Sequence, residues 1–175
     1  MKKCRVCTLP FIQYRALQAV CSPRCALKDA RAKAEKKQRQ QLAVRKQALK
    51  TLGEHKKELQ TIYNKFIRLR DADLPCISCQ RYHQGQYHCG HYLTVGAHPN
   101  LRYDENNTNK QCAPCNNHLS GNIINYRINL INKIGVEAVE SLESDNTPKH
   151  YKISDILLMK SEYKAKIKQL EKGIL

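Results

Sequence analysis

No apolar run in the 175-residue chain approaches the roughly twenty residues that a membrane-spanning helix needs. The opening Met1-Lys2-Lys3-Cys4 lacks the apolar stretch of a secretory signal. Both absences lead to the expectation of a soluble protein of the cytoplasm. Large aliphatic side chains are thinly spread before residue 120, so the earlier part must take its order from metal or partners. Between Ala26 and Leu52 there is no glycine or proline, and from Lys28 to Gln41 no apolar side chain is larger than Ala. Strong helix formers with no face to bury predict a long helix that projects, lies along a partner, or frays when free.

Acidic residues are also scarce, and unevenly so. Residues 1–70 hold 19 Lys/Arg against 4 Asp/Glu, whereas residues 71–175 hold 12 against 11. With two charges subtracted for each four-thiolate zinc site, the sums are about +13 and about −1. A basic arm is thus joined to a nearly neutral module. The excess is far above what solubility needs, which favours a polyanion-binding arm over a solvated helix. Its candidate contacts are Lys28, Arg31, Lys33, Lys36, Lys37, Arg39, Arg45 and Lys46.

Nine cysteines in a chain with no secretion signal point to thiolate metal ligation rather than a disulfide scaffold. Cys4-x-x-Cys7 and Cys21-x-x-x-Cys25 are thirteen residues apart, and Cys76-x-x-Cys79 and Cys112-x-x-Cys115 are thirty-two apart. Each pair of knuckles can close a tetrahedral zinc site; Cys89 is left over. Leu9, Phe11, Ile12, Tyr14 and Leu17 are expected to give the first insert a small hairpin with a minimal apolar face. Whether that knuckle docks on a partner or only staples the N-terminus stays open.

The second insert exceeds the span of a plain zinc ribbon, about fifteen to twenty residues, and its content is polar. His83, His88, His91, His98, Asn106, Asn107 and Asn109 lie inside it, with His118 and Asn122 just beyond. Zinc is expected to supply stability there while the insert carries a second, catalytic site.

Gln86 to Leu93 reads as a strand ending near His91, and Thr94 to Asn100 as a loop anchored by Leu101-Arg102-Tyr103. A second strand should enter Cys112. The helix after Cys115 should be interrupted at Ser120-Gly121, then continue with an apolar helical stripe of Ile124, Ile128 and Ile131, with Ile123, Leu130 and Ile134 beside them, to Gly135. Beyond a short helix from Val136 to Leu142, Ser154 is expected to cap a last helix with Ile156, Met159, Tyr163, Ile167 and Leu170 on one face. The stripe Leu52, Leu59, Ile62, Phe66 and Leu69 should pack on the module or a second subunit. Asp71 and Asp73 read as a polar turn before Pro75 rather than a metal site. His83, His88, His98 and Cys89 read as solvent-facing or loop residues.

Phosphodiester hydrolysis requires a base for water, a cation on the phosphate and stabilisation of the leaving oxygen. His91 is the candidate base, because a neutral imidazole held through one nitrogen can accept a proton on the other. The arrangement Gly90-His91-Tyr92, Leu101-Arg102-Tyr103, Asn107, Gln111-Cys112-x-x-Cys115-Asn116-x-His118 and Ser120-Gly121-Asn122 resembles the HNH endonucleases. It resembles more closely the phage lambda NinG family, also known as the Rap recombination endonuclease.

The resemblance implies several roles. Asn107 braces the histidine loop. His118 leads as catalytic and metal-ligating residue, with Asn122 on the same face if the helix is unbroken, while Asn116 stands where many HNH proteins carry a ligating histidine. Gly90 replaces the aspartate that many of them place before the base, so Asp104 or Glu105 would have to supply any carboxylate. The cofactors implied are two structural Zn2+ and a catalytic Mg2+ or Mn2+. The substrate implied is branched recombination DNA, Holliday junctions and D-loops, in the host cytoplasm, with a homodimer as one possible assembly.

The fold expected is α+β and mainly helical: a small zinc-stabilised ββα-metal (HNH-like) module with an N-terminal zinc knuckle and a long basic helix. Its segments are residues 1–25 (knuckle), 26–70 (basic arm), 71–135 (zinc and catalytic module) and 136–175 (helices packing on that module). The rival reading is a noncatalytic zinc protein that binds nucleic acid and recruits recombination factors. Both explain the cysteines and the charge; only a nuclease explains His91, Asn107 and His118 together.

Overall fold

The computed structural model describes residues 1–173, so the last two residues of the expected 136–175 segment lie outside the described residues. It is mainly helical with two small sheets and divides into two compact units, Met1–Lys50 and Thr51–Leu175. None of the described helices is long and apolar enough to cross a membrane.

In the first unit, β1 (Lys2–Lys3) and β2 (Pro10–Phe11) pair antiparallel. The hairpin therefore encloses Cys4 and Cys7, and does not lie between the knuckles. Leu9, Ile12, Tyr14 and Leu17 are exposed, so the small apolar face expected there does not form. Helix α1 (Pro23–Ala48) follows, opened by the Ser22 hydroxyl accepting the Cys25 N–H and by proline in its first turn. No residue of α1 is buried. All eight candidate cations are exposed along it, and Lys33 pairs with Asp29 at 2.6 Å.

The second unit comprises α2 (Leu52–Arg70), β3 (Tyr87–His91), β4 (Thr108–Cys112), α3 (Ile123–Ile134), α4 (Val136–Ser144) and α5 (Ile153–Glu171). The break before α2 comes from a capping box: Thr51 accepts the Glu54 N–H while the Glu54 carboxylate accepts the Thr51 N–H. The expected 26–70 arm is thus two helices, and Gly53 sits within the first turn of the second.

Helix α2 packs on α5 through Leu59, Tyr63, Phe66 and Ile67 against Ile156, Tyr163 and Ile167, with Tyr103 joining them. A second core holds Ile77, Tyr92, Leu101, Tyr126, Leu130, Val139 and Leu142. The β3–β4 hairpin, in register from Tyr87↔Cys112 to His91↔Thr108, touches both. Cys89 packs against the first core. On the opposite face the Tyr126 hydroxyl donates to Gly90 O at 3.0 Å and accepts from Asn109 Nδ2 at 3.1 Å.

That pairing explains one departure. Tyr126 and Leu130 are buried in α3, whereas Ile124 and Ile128 are exposed. The face that turns inward is the one whose tyrosine can satisfy its hydroxyl on the hairpin. Ser154 is not the cap of α5, which opens at Ile153 with the Asp155 carboxylate accepting the Lys152 N–H at 2.9 Å.

Asp71 lies in the turn expected before Pro75, yet it is only 2% exposed. It holds Arg70 through two hydrogen bonds, Lys133 at 3.1 Å and the Lys110 N–H at 3.0 Å. Burial alone would raise its pKa; the Arg70 bonds and charge, with Lys133 and the Lys110 N–H, hold it below the usual carboxylate value. Its stabilisation is therefore complete above the unfolded pKa of about 3.9 and is lost as pH falls through the folded value. Asp71→Ala leaves two cations without a counter-charge and should cost about 3–5 kcal/mol in urea unfolding. A loss below ~1 kcal/mol would show that this network does not secure the fold.

Candidate functional site

Eight cysteines converge in two groups, Cys4/Cys7/Cys21/Cys25 and Cys76/Cys79/Cys112/Cys115, with the sulfurs of each within 4.8 Å of one another. None forms a disulfide. Separations of 3.5 Å for Cys7–Cys21, 3.7 Å for Cys21–Cys25 and 3.9 Å for Cys79–Cys112 match the edge of a tetrahedron with Zn–S bonds, roughly 3.8 Å. The Cys21 N–H donates to Cys4 Sγ at 3.4 Å and the Cys112 N–H to Cys76 Sγ at 3.3 Å, as suits thiolates.

The N–H of Cys7, chief among several backbone donors, pulls the Cys4 thiol down to about 6. The Cys7, Cys4 and Cys25 sulfurs push Cys21 up to about 12. In the second group burial opposes ionisation, yet backbone N–H groups led by that of Cys112 bring Cys76 below its ordinary value, while Cys79 stays above. Four neighbouring thiolates are compatible only around a cation, and both donor sets fit Zn2+.

His83 is not merely a surface residue, since its Nε2 lies 3.2 Å from Cys79 Sγ. Among the described residues, the His88 Nε2 is buried without a partner. Burial pushes the Cys89 thiol up to about 12, which makes it inert packing. His98 sits in the loop before the short 3-10 turn Pro99–Leu101.

A cavity of about 220 Å3 is lined by His91, Thr94, Val95, Asn116, Ser120, Gly121 and Ile123. His91 ends β3, and its Nε2 lies 3.0 Å from the Arg102 carbonyl oxygen. A carbonyl can only accept, so Nε2 carries the proton and Nδ1 the lone pair. Burial lowers the His91 pKa, with the Arg102 charge adding to it against the hydrogen bond to Arg102 O, so the neutral ring is favoured. Gln60 of α2 fixes the Arg102 side chain at 2.7 Å.

Asn107 is fully buried. Its Oδ1 accepts the Leu93 N–H at 2.8 Å, and its Nδ2 donates to Leu93 O at 3.0 Å and Leu101 O at 3.2 Å. One amide thus closes the loop that follows His91.

Gly90 is required by contact. A Cβ there would lie 2.2 Å from Gln111 Oε1 and 2.9 Å from Gln111 Cβ, so the space an aspartate would need is filled.

The opposite wall comes from a π-helical turn, Pro114–His118, and three successive residues with positive φ, Ser120 (47°), Gly121 (85°) and Asn122 (46°). This break separates His118 from Asn122, which would share a face only on an unbroken helix. His118 is exposed and is not among the lining residues. The Asn122 amide lies 3.8 Å from Cys115 Sγ. Asn116 and Ser120 line the cavity with His91 instead.

Asp104 accepts the N–H groups of Asn106 and Asn107, and Glu105 pairs with Lys166, so neither carboxylate enters the cavity. Asn116 was legible from its place after Cys115. The Arg102 carbonyl was not, because a backbone acceptor has no side-chain signature.

The family described as Bacteriophage Lambda NinG protein matches residues 1–173. The chain belongs to the NinG family. It is 43% identical over 168 residues to Protein ninG of Escherichia phage lambda, covering 86% of this chain and 82% of that one. Protein ninG of Enterobacteria phage H19B is 40% identical over 187 residues, at 97% and 93% coverage. Protein ninG of Escherichia phage 933W is 46% identical over 129 residues, 74% of this chain, and the match spans 64% of that relative's length. No solved structure matches the chain.

For this NinG chain, purification under reducing conditions should yield about two zinc ions per chain by elemental analysis. A strong chelator should unfold at least the Cys76–Cys115 module. Absence of zinc, or a disulfide within either group, would overturn the assignment.

Proposed function

We propose that this NinG protein is a structure-specific DNA endonuclease of the HNH type, acting on branched recombination intermediates such as Holliday junctions and D-loops. The observation that carries the reading is His91: a neutral imidazole locked through Nε2, with a free lone pair on Nδ1, in a polar cavity beside a thiolate metal group. In this mechanism Nδ1 takes the proton of the attacking water as its oxygen bonds to phosphorus and the bond to the leaving oxygen breaks, and solvent water returns a proton to that oxygen. The Arg102 carbonyl keeps the ring oriented and stabilises the imidazolium through the Nε2 proton. Asn107 holds the loop, so the base need not be repositioned during reaction. Asn116 and Ser120 can donate to the non-bridging oxygens of the scissile phosphate. The basic side chains of α1 bind the phosphate backbone, and the branch preference rests on the family resemblance.

Mg2+ or Mn2+ would neutralise the phosphate and the leaving oxygen. However, the cavity offers no carboxylate and excludes His118 and Asn122, a donor set that does not fit a hard divalent ion. No step is therefore routed through such an ion. The same feature favours a second reading, a noncatalytic zinc-dependent DNA-binding accessory protein.

Incubation with junction, nicked and linear DNA, with Mg2+, Mn2+ or neither, separates the two. His91→Ala should reduce cleavage about a hundredfold to ten-thousandfold with binding nearly unchanged. Because the His91 pKa is lowered, the base stays unprotonated through neutrality, and the acid limb of the rate profile should fall below pH 6.5. Asn116→Ala should slow cleavage while His118→Ala leaves it near wild type. A folded His91→Ala protein that cleaves normally refutes the base; wild type that binds DNA but never cuts it establishes the accessory role.

Deleting residues 1–50 should weaken DNA binding and flatten its salt dependence. With about six to ten phosphate contacts, the intact chain should lose on the order of a thousandfold in affinity between low and moderate salt. An unchanged slope after deletion would leave α1 as a solubilising helix.

A further inference from the structure

A second cavity, about 260 Å3, lies between the Leu74–Ile77 segment and the C-terminal half of α3. One wall is apolar, formed by Leu74, Pro75 and Ile77; the rest is amide and ammonium, with the Asp71 carboxylate between Lys133 and the Lys110 N–H. Gln80 spends its Nε2 on the Cys76 and Ile77 carbonyls and Asn129 its Nδ2 on Ser78 O. Among the described residues, the side-chain oxygens of both have no bonded partner, and the Asn132 side chain has none at either end. Lys133 gives protons to Asp71 and Asn109, and Lys110 gives one to Ala72 O, so each ammonium retains at least one. Arg70, Lys110 and Lys133 outnumber the single carboxylate, Asp71, so the surroundings are electropositive.

We infer that this cavity binds one nucleotide, its base against the apolar wall with its edge on the free amide groups and its phosphate toward Lys110 and Lys133. At about 260 Å3, below the roughly 300 Å3 at which pockets for drug-sized ligands begin, the cavity can enclose the base of one nucleotide and leaves its sugar and phosphate at the mouth. Inorganic phosphate would leave the apolar wall unused and face amide oxygens that repel it. The inference rests on the nuclease reading for the source of the nucleotide: unpaired nucleotides at a branch are the least costly to extrude. Helix α3 carries Ile123 to the His91 cavity and Asn129 to Lys133 to this one. At 1.5 Å per residue these positions are about 9–15 Å apart, within a few nucleotides of the cut.

The test uses the full zinc-loaded chain without Mg2+ or Mn2+, titrated with each of the four deoxynucleoside monophosphates and followed by amide NMR shifts. Deoxyribose 5-phosphate and inorganic phosphate serve as controls. At least one mononucleotide should saturably shift the Asn129 and Asn132 side-chain signals, binding about tenfold tighter than deoxyribose 5-phosphate. Asn132→Leu should weaken it about tenfold, and Asn132→Ala replaces that variant if leucine disturbs the circular dichroism spectrum. Equal effects from inorganic phosphate, unaltered affinity in the folded variant, or no saturable shift at millimolar nucleotide would each overturn the inference. Cleavage is read separately: a protein that cuts junctions but binds no mononucleotide here refutes only the cavity, and one that binds the mononucleotide but never cuts DNA refutes only the nuclease.

Discussion

Strand β4 sets the problem that the second unit solves. Thr108, Asn109, Lys110, Gln111 and Cys112 are all buried, none above 6% exposed, although four of the five side chains are polar and one carries a charge. Burying such groups unpaired would cost several kcal/mol each, so their partners determine what packs around them. The Tyr63 hydroxyl from α2 meets Thr108, and Tyr126 with Lys133 from α3 meets Asn109. Lys110 lies over the Tyr87 ring and donates to Ala72 O, while its N–H is held by Asp71. Gln111 donates to Ser78 Oγ and Gly121 O, and Cys112 joins the thiolate group. A polar strand thus organises both cores, because each neighbouring helix must present a hydrogen-bonding group to it as well as an apolar face.

This explains what the sequence could and could not disclose. The cysteine spacings specified both metal groups, and the strand, loop and anchor around His91 followed from turn residues and aromatic content. The orientation of α3 did not follow. Its isoleucines draw the stronger apolar stripe, but periodicity weighs only apolar area, whereas the inward face was decided by one hydroxyl reaching Gly90 O and Asn109. Asp71 shows the same limit. Two acidic residues before a proline read as a turn, and nothing local announces Lys133, sixty-two residues away, as a counter-charge. His118 and Asn122 would share a face only on an unbroken helix. Spacing on a helix has meaning only while the helix continues, and three left-handed residues in a row end it.

The break is more than a connector. Residues with positive φ other than glycine are sparsely tolerated, and Ser120 holds that conformation where it lines the His91 cavity. The neighbouring Gly121 carbonyl accepts from both Ser78 and Gln111, so the strain is maintained by two buried donors. Ser78 lies between Cys76 and Cys79, and Gln111 directly precedes Cys112. The wall opposite His91 is therefore tied at two points to residues flanking cysteines of the second thiolate group.

That connection bears on how the proposed chemistry can work without a carboxylate beside the base. Gln111 occupies the volume that a side chain at Gly90 would need, so the same residue that anchors the Gly121 wall also excludes an aspartate from the histidine strand. The anchor and the ligand position compete for one space, and in this chain the anchor occupies it. Rigidity then replaces ligand charge as the protein's contribution. His91 is fixed by a backbone carbonyl, its loop by Asn107, and the facing wall by the metal knuckles, all before substrate arrives. A site so arranged spends little reorganisation energy on orienting its base, and its remaining need for positive charge at the phosphate falls on whatever the substrate brings with it.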